Sequence, residues 1–255
     1  MNNQLITVWK PVGWTPLKAV LEFLKLKPEF KDSKVSYAGR LDPMAEGVLL
    51  LLIGDENKKR HEYENLEKTY ESEIILGIST DSFDGLGIIE NVESIDISRE
   101  EIDKCLKSFL GKQEQEYPSY SSKAVKGKSL YWWARNKKIN EIVIPKREIE
   151  IYLIDLLDFS LIKSSDLAKE NIEKINLIEG DFRQAEIIKN WEEFEKKNKD
   201  KNFIKIKIKI SSSSGTYVRR IASDLGEKLG SGAFAFSIKR IKIGEFEKKD
   251  CVSYF

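Results

Sequence analysis

The chain switches between short, strongly apolar segments and longer charged ones, and the spacing of its apolar positions changes along its length. Residues 5–9, Leu-Ile-Thr-Val-Trp, are β-branched and aromatic and predict a strand. Lys10-Pro11-Val12-Gly13-Trp14 predicts a turn. Thr15 then suits an N-cap and Pro16 the first position of a helix running to about Leu26, with Val20, Leu21 and Leu24 on its apolar face. Residues 47–54 are apolar without a break between two glycines, the pattern of a strand buried on both faces. Residues 68–76 predict another strand. Ser98 and Glu101 form a capping box that opens a helix with Ile102, Cys105, Leu106 and Phe109 on one face and Gly111 ending it.

Further along, residues 129–137 predict a helix and residues 149–162 a strand. Residues 164–200 are mixed in charge and predict a helical insertion. Ile204, Ile206, Ile208 and Ile210 alternate with Lys205, Lys207 and Lys209, which makes a half-buried strand with a basic outer face. From Thr216 the helical spacing returns, with Val218, Ile221, Ala222, Leu225 and Leu229 on one stripe and Gly230 past the end. Residues 238–246 then close the sheet. Strands and helices mix without the regular alternation of a doubly wound fold, so the class is α+β.

Composition narrows the chemistry. At 255 residues, 41% hydrophobic and 33% charged, the chain belongs with globular proteins. Its cysteines, Cys105 and Cys251, lie far apart and its single histidine is His61, so neither a zinc site nor a disulfide is expected. Two reduced thiols suit a cytoplasmic protein. The longest apolar run, Val48 to Ile53, falls far short of the ~20 residues of a membrane span, and no signal peptide opens the chain. The expectation is a function without histidine, metal, cofactor or membrane.

The net charge of +1 hides segregation. Residues 117–147 carry eight Lys/Arg against Glu141 alone, interleaved with Tyr120, Tyr131, Trp132 and Trp133. Cations among aromatics fit RNA binding, since the cations neutralise phosphates while rings stack on unpaired bases. A solvated lysine surface with Trp132 and Trp133 in the core is the alternative. A second basic stretch spans residues 201–249.

Asp42 stands between a glycine-containing turn and the buried strand, with Pro43 fixing the backbone after it and Gly47 allowing close approach of another segment. A carboxylate held there is either a turn-capping group or a positioned nucleophile or base.

The segment Gly39-Arg40-Leu41-Asp42-Pro43-Met44-Ala45-Glu46-Gly47-Val48-Leu49 resembles the signature of TruB-type tRNA pseudouridine synthases, which act on uridine 55 of the T loop. Further motifs follow in order. Lys10-Pro11-x-Gly13 looks like the family's first motif, and Lys68-x-Tyr70 with Thr80-Asp81-x-x-Asp84-Gly85 like its second. Pro118 to Ser121 and Lys126 to Arg135 resemble its RNA-binding thumb. Ser214 to Arg219 and Asp224 to Ala233 resemble its third motif, and Lys239-Arg240-Ile241 the strand after it.

The resemblance implies a mixed, largely antiparallel central sheet flanked by helices, in a single catalytic domain over residues 1–255 with a thumb-like segment at 117–147. It implies that Asp42 is the catalytic residue, acting at the sugar or as a base. It places Tyr70, Tyr217, Leu41 and Tyr37 around the target base and pairs Arg219 with Asp42, where an opposite charge favours the carboxylate. RNA contacts fall to Lys10, Lys123, Lys126, Lys128, Arg135 and Arg240. The implied partner is the tRNA T-loop arm, and no protein partner is named.

Three departures stand out. Tyr37 occupies the place of a family histidine that helps displace the base. The chain stops at Phe255, before the small PUA domain typical of bacterial members, so the catalytic domain is expected to carry the RNA affinity. Residues 164–200 have no counterpart in the common pattern and are expected near the RNA face, with a solvated decoration as the alternative. Competing functions are a synthase for another structured or guide RNA and a tRNA-binding protein without catalysis.

Overall fold

The computed structural model describes residues 3–252 and Tyr254. Strand β1 (Gln4–Lys10) leads into α1 (Pro16–Leu26), where the Thr15 side chain accepts a hydrogen bond from the Lys18 amide. β2 (Val35–Ala38) and β3 (Ala45–Ile53) flank the loop that carries Asp42, and α2 (Arg60–Asn65) joins them to β4 (Lys68–Leu76). The short strands β5 (Ile78–Thr80) and β6 (Ile89–Val92) precede α3 (Arg99–Lys107), which opens on the Ser98–Glu101 capping box. That helix stops at Lys107, and Gly111 instead starts β7 (Gly111–Glu116) with φ of 91°.

The hairpin β8 (Ala124–Val125) and β9 (Lys128–Ser129), α4 (Leu130–Arg135) and the 18-residue β10 (Lys146–Lys163) follow. Residues 164–200 fold into α5 (Ser164–Asn176) and α6 (Gln184–Lys197). Then come β11 (Asn202–Ser212), α7 (Val218–Lys228), β12 (Ala233–Ile243) and β13 (Phe246–Glu247).

One nine-stranded sheet runs β1-β3-β12-β4-β11-β10-β7, with β2 also on β3 and β13 on β12. β12 lies parallel to β3, while the other pairings in it are antiparallel. The α+β class with a largely antiparallel sheet holds. The last long strand, however, does not close the sheet. β12 fills its centre, because residues 233–236, Ala-Phe-Ala-Phe, are apolar on both faces and all are covered.

Alternation along β4 divides the core. Ile74 and Leu76 face α3 and α7 in one apolar cluster with Ile102, Leu106, Ile221 and Leu225. Ile75 faces the other side, where α5 and α6 contribute Leu167, Ile175, Ile187, Trp191 and Phe194 against Phe203, Phe234 and Phe236. Residues 164–200 are thus a third layer of the fold, which corrects the reading of a solvated decoration. β3 is buried on both faces: Leu49, Leu51 and Ile53 pack towards α1, and Val48, Leu50 and Leu52 towards Ile243. The basic outer face expected of β11 is also corrected. Lys205 and Lys207 pair with Glu73 and Glu71 of β4 at 3.7 and 2.7 Å, so much of that charge is neutralised within the sheet.

Candidate active site

Asp42 sits in the turn between β2 and β3, and three separate ties hold that turn. The Ala45 amide donates to the Asp42 carbonyl at 3.0 Å, and the Gly13 amide donates to the Pro43 carbonyl at 2.9 Å. Arg240 supplies the third, its guanidinium donating to the carbonyls of Val48, Arg40 and Gly39 at 2.8, 2.9 and 3.2 Å. β12 can come this close to β3 because position 47 is glycine. A Cβ there would lie 2.2 Å from the Arg240 carbonyl oxygen, and its φ of 130° suits glycine.

Arg219, in the first turn of α7, is 3% exposed, with each of its three guanidinium nitrogens engaged. Its Nε donates to Asp42 Oδ2 at 2.8 Å, Nη1 to the Ser82 carbonyl at 3.0 Å and Nη2 to the Tyr120 carbonyl at 3.0 Å. Burial works against its charge, but Asp42 and Asp84 outweigh it and push its pKa further up. Asp84 Oδ2 lies 3.9 Å from Arg219 Nε, so one guanidinium faces two carboxylates. Asp84 accepts from the Ser82 hydroxyl and the Leu86 amide at 2.6 and 3.0 Å. Burial raises its pKa to about 6, against the pull of Arg219.

Asp42, Arg219 and Arg240 line a cavity of about 650 Å³. Asp42, Leu41, Tyr70, Tyr217 and Arg219, all expected from the sequence, meet on its walls. Tyr70 on β4 is opposite Arg240 on β12, and burial raises its phenol pKa, with Arg240 opposing. Tyr217 is held by a buried glutamine: its amide donates to Gln115 Oε1 at 2.8 Å and its carbonyl accepts from Gln115 Nε2 at 3.2 Å.

Tyr37 is not on the cavity wall. β2 pairs Tyr37 with Leu51, so its ring joins the cluster under α1, with the Arg60 guanidinium 5.7 Å from its centroid. His61 lines the cavity instead, from an exposed position on α2. Two expected RNA contacts are likewise corrected. Lys10 is buried and donates to the carbonyls of Pro11 and Trp14 at 2.9 and 2.7 Å, and burial lowers its pKa to about 7. Arg240 is buried and spends its donors on the Asp42 loop.

Lys123, Lys126 and Lys128 stand exposed on the β8–β9 hairpin. Its two-residue turn, Lys126-Gly127, has both φ angles positive, as a tight hairpin requires. The Lys123 and Lys128 ammonium groups lie 5.2 Å from the ring centroids of Tyr117 and Trp132. Trp132 and Trp133 are half-buried, not core. Arg135 is engaged by Asp181.

Asp84, Lys68, His61 and Phe182 also line this cavity or the smaller one beside it, and none was singled out for the site from sequence. Asp84 and Lys68 had signals, their places in the Thr80–Gly85 and Lys68-x-Tyr70 motifs. His61 lies in a charged stretch and Phe182 in the insertion, where no local pattern marks a site. Among the described residues no group of metal-ligating side chains and no membrane-length apolar helix occurs.

Residues 27–169 match the TruB family pseudouridylate synthase N-terminal domain. A tRNA pseudouridine synthase B of Thermosipho melanesiensis is 31% identical over 98% of this chain and 67% of its own length. That of Chloroherpeton thalassium is 30% identical over 96% of this chain and 85% of its own. Among solved structures, a Cbf5-Nop10-Gar1 complex contains a chain with TM-score 0.58 at 19% identity; the match covers 96% of this chain and 50% of that one, and speaks for the fold. The family match spans the Asp42 loop, β4 and the β8–β9 hairpin with α4, and the relatives extend the likeness along nearly all the rest: the chain belongs to the TruB family of pseudouridylate synthases, isomerases that convert uridine to pseudouridine.

Proposed function

We propose that the chain isomerises uridine 55 in the T loop of tRNA, with Asp42 as the catalytic residue. The observation that carries this reading is the Arg219–Asp42 pair at 2.8 Å on the wall of a tyrosine-lined cavity. Asp42 is the more open partner, with its side chain 38% exposed against 4% for Arg219. The arginine is a fixed buried cation, and the carboxylate is presented to the cavity. The relatives named tRNA pseudouridine synthase B support tRNA as substrate.

The reaction needs no second reactant. The bond from C1′ to N1 breaks, the base turns, a bond from C1′ to C5 forms, and the proton on C5 passes to N1 or solvent. Asp42 acts on the ribose as nucleophile or base while the Arg219 Nε, donating to its Oδ2, orients it. Tyr70, held as a neutral phenol by burial, stacks on the base. Its oxygen takes the C5 proton only as its own proton moves on. Extruding the uridine costs a few kcal/mol, and stacking returns about 1–3 kcal/mol per base. Lys123, Lys126 and Lys128 draw in the phosphates, with residues 117–147 acting as a thumb.

Incubation with unmodified tRNA and mapping of pseudouridine, beside Asp42→Asn, tests the reading. Product at the T-loop uridine with wild type alone supports it. Product on another RNA only redirects the substrate, and no product on any RNA removes the catalytic assignment.

A further inference from the structure

The α5–α6 hairpin is more than a cover for the sheet. Its tip, at residues 177–183, reaches the catalytic cavity, where Phe182 lines both the main cavity and the smaller one of about 110 Å³ behind Asp42. Arg183 clamps Asp81 with two hydrogen bonds, from Nη1 to Oδ2 at 2.8 Å and from Nη2 to Oδ1 at 3.1 Å. Both side chains are largely buried, which favours a fixed bidentate geometry over a mobile surface pair. The same guanidinium lies 4.3 Å from the centroid of the Tyr120 ring, and the Tyr120 hydroxyl donates to Asp81 Oδ2 at 3.0 Å. Tyr120 in turn offers its carbonyl to Arg219, the partner of Asp42. Contacts therefore run without a gap from Arg183 through Tyr120 to Arg219 and Asp42.

Other parts of the hairpin press on the same machinery. Asn171, fully buried on α5, donates to the Gly85 carbonyl at 2.8 Å, next to Asp84. Leu177 packs on Gly13, the residue that ties down Pro43; a Cβ on Gly13 would lie 2.5 Å from the Leu177 carbonyl oxygen. On the thumb side, Arg135 donates to the Asp181 carbonyl at 2.8 Å and to its carboxylate, and the Tyr131 hydroxyl donates to the same carbonyl at 3.2 Å. Phe182 meets the Tyr131 ring edge-on. Arg183 itself takes a left-handed φ of 65°, a conformation a non-glycine residue adopts only where its surroundings require it.

We propose that the α5–α6 hairpin is a working part of the catalytic site: Arg183 is a positioning residue for the Arg219–Asp42 pair, and Asp181 and Phe182 hold the thumb helix over the cavity. This rests on the reading of Asp42 as the catalytic residue. In a chain of this kind the insertion does for the active site what a separate brace would do, fixing the thumb and the arginine from one rigid element.

The test compares wild type, Arg183→Ala, Arg183→Lys, the exposed control Lys196→Ala and Asp42→Asn. Single-turnover pseudouridine formation is measured with enzyme in saturating excess over unmodified tRNA, and tRNA Kd is measured by filter binding. Arg183→Ala is expected to slow single turnover by about ten- to a hundredfold, the scale of a misplaced catalytic group. Its Kd should change by no more than about threefold, as for an interaction made mainly in the transition state. Arg183→Lys should recover part of the rate, because it keeps a cation beside Asp81, and Lys196→Ala should match wild type. A single-turnover rate equal to wild type in Arg183→Ala, or a loss confined to Kd, overturns the positioning role. If Arg183→Ala melts below the assay temperature, Asp81→Asn, nearly the same shape without the charge, carries the same expectation and the same reversal. An inactive wild type removes the Asp42 reading and this inference together, whereas an active wild type with an unaffected Arg183→Ala removes this inference alone.

Discussion

The Asp42 loop and the β8–β9 hairpin both lie among basic side chains, but the two regions use them in opposite ways. Around Asp42 the basic side chains are buried and hold fixed acceptors: Arg219 binds Asp42 and two carbonyls, Arg240 three carbonyls and Lys10 two. On the β8–β9 hairpin Lys123, Lys126 and Lys128 are exposed, resting beside aromatic rings with no carboxylate partner among the described residues. A buried cation with several fixed acceptors sets geometry and responds little to salt. An exposed cation attracts phosphate and is screened by salt. Equal numbers of charges therefore say little until their burial is known.

Breaking the buried side should cost most. Asp42→Asn is expected to abolish pseudouridine formation while leaving tRNA binding in place, as read by mapping and filter binding. Arg219→Ala leaves Asp42 and Asp84 facing each other without the cation between them. It should destabilise the fold by about 3–5 kcal/mol, the usual cost of breaking a buried pair, measured by denaturant unfolding. Turnover should fall far more than tRNA affinity, and an equal loss of both would make Arg219 purely structural.

A pH series sharpens the same side. Asp84 has a folded pKa of about 6, above its ordinary value of 3.8, so between those values the folded state binds more protons than the unfolded state. Stability from this group is therefore fully present at low pH and is lost as pH rises through about 6. The expected outcome is an unfolding free energy with a descending component across that window, absent in Asp84→Asn. The smallest effects belong to the thumb. Lys123→Ala, Lys126→Ala and Lys128→Ala should each weaken tRNA binding and lower the slope of log affinity against log salt by about one, with turnover at saturation unchanged.

Local pattern reveals the elements well, because caps and periodicity act over a few residues. The Thr15 and Ser98 caps, the strand at residues 68–76 and the isoleucine alternation of β11 all appear where the sequence places them. The wall of the site, too, was readable, since Asp42, Leu41, Tyr70, Tyr217 and Arg219 converge. What could not be read was set by distant partners. Arg240 takes its acceptors from residues about two hundred positions earlier in the chain, and nothing beside it signals burial. Tyr37 turns away from the cavity because of its register against Leu51, a property of two strands and not of either alone. The lysines of β11 look like a free basic face until β4 brings Glu71 and Glu73 alongside.

The central place of β12 sets a timetable for biosynthesis. β3 and β4 are made early but neighbour each other only through a strand some 160 residues further on, so their pairing waits for it. Until residues 233–243 leave the ribosome, one edge of β4 and residues 45–47 of β3 lack their partner, and the loop bearing Asp42 lacks the arginine that shapes it. The loop that bears Asp42 takes its final shape only when that one strand is inserted.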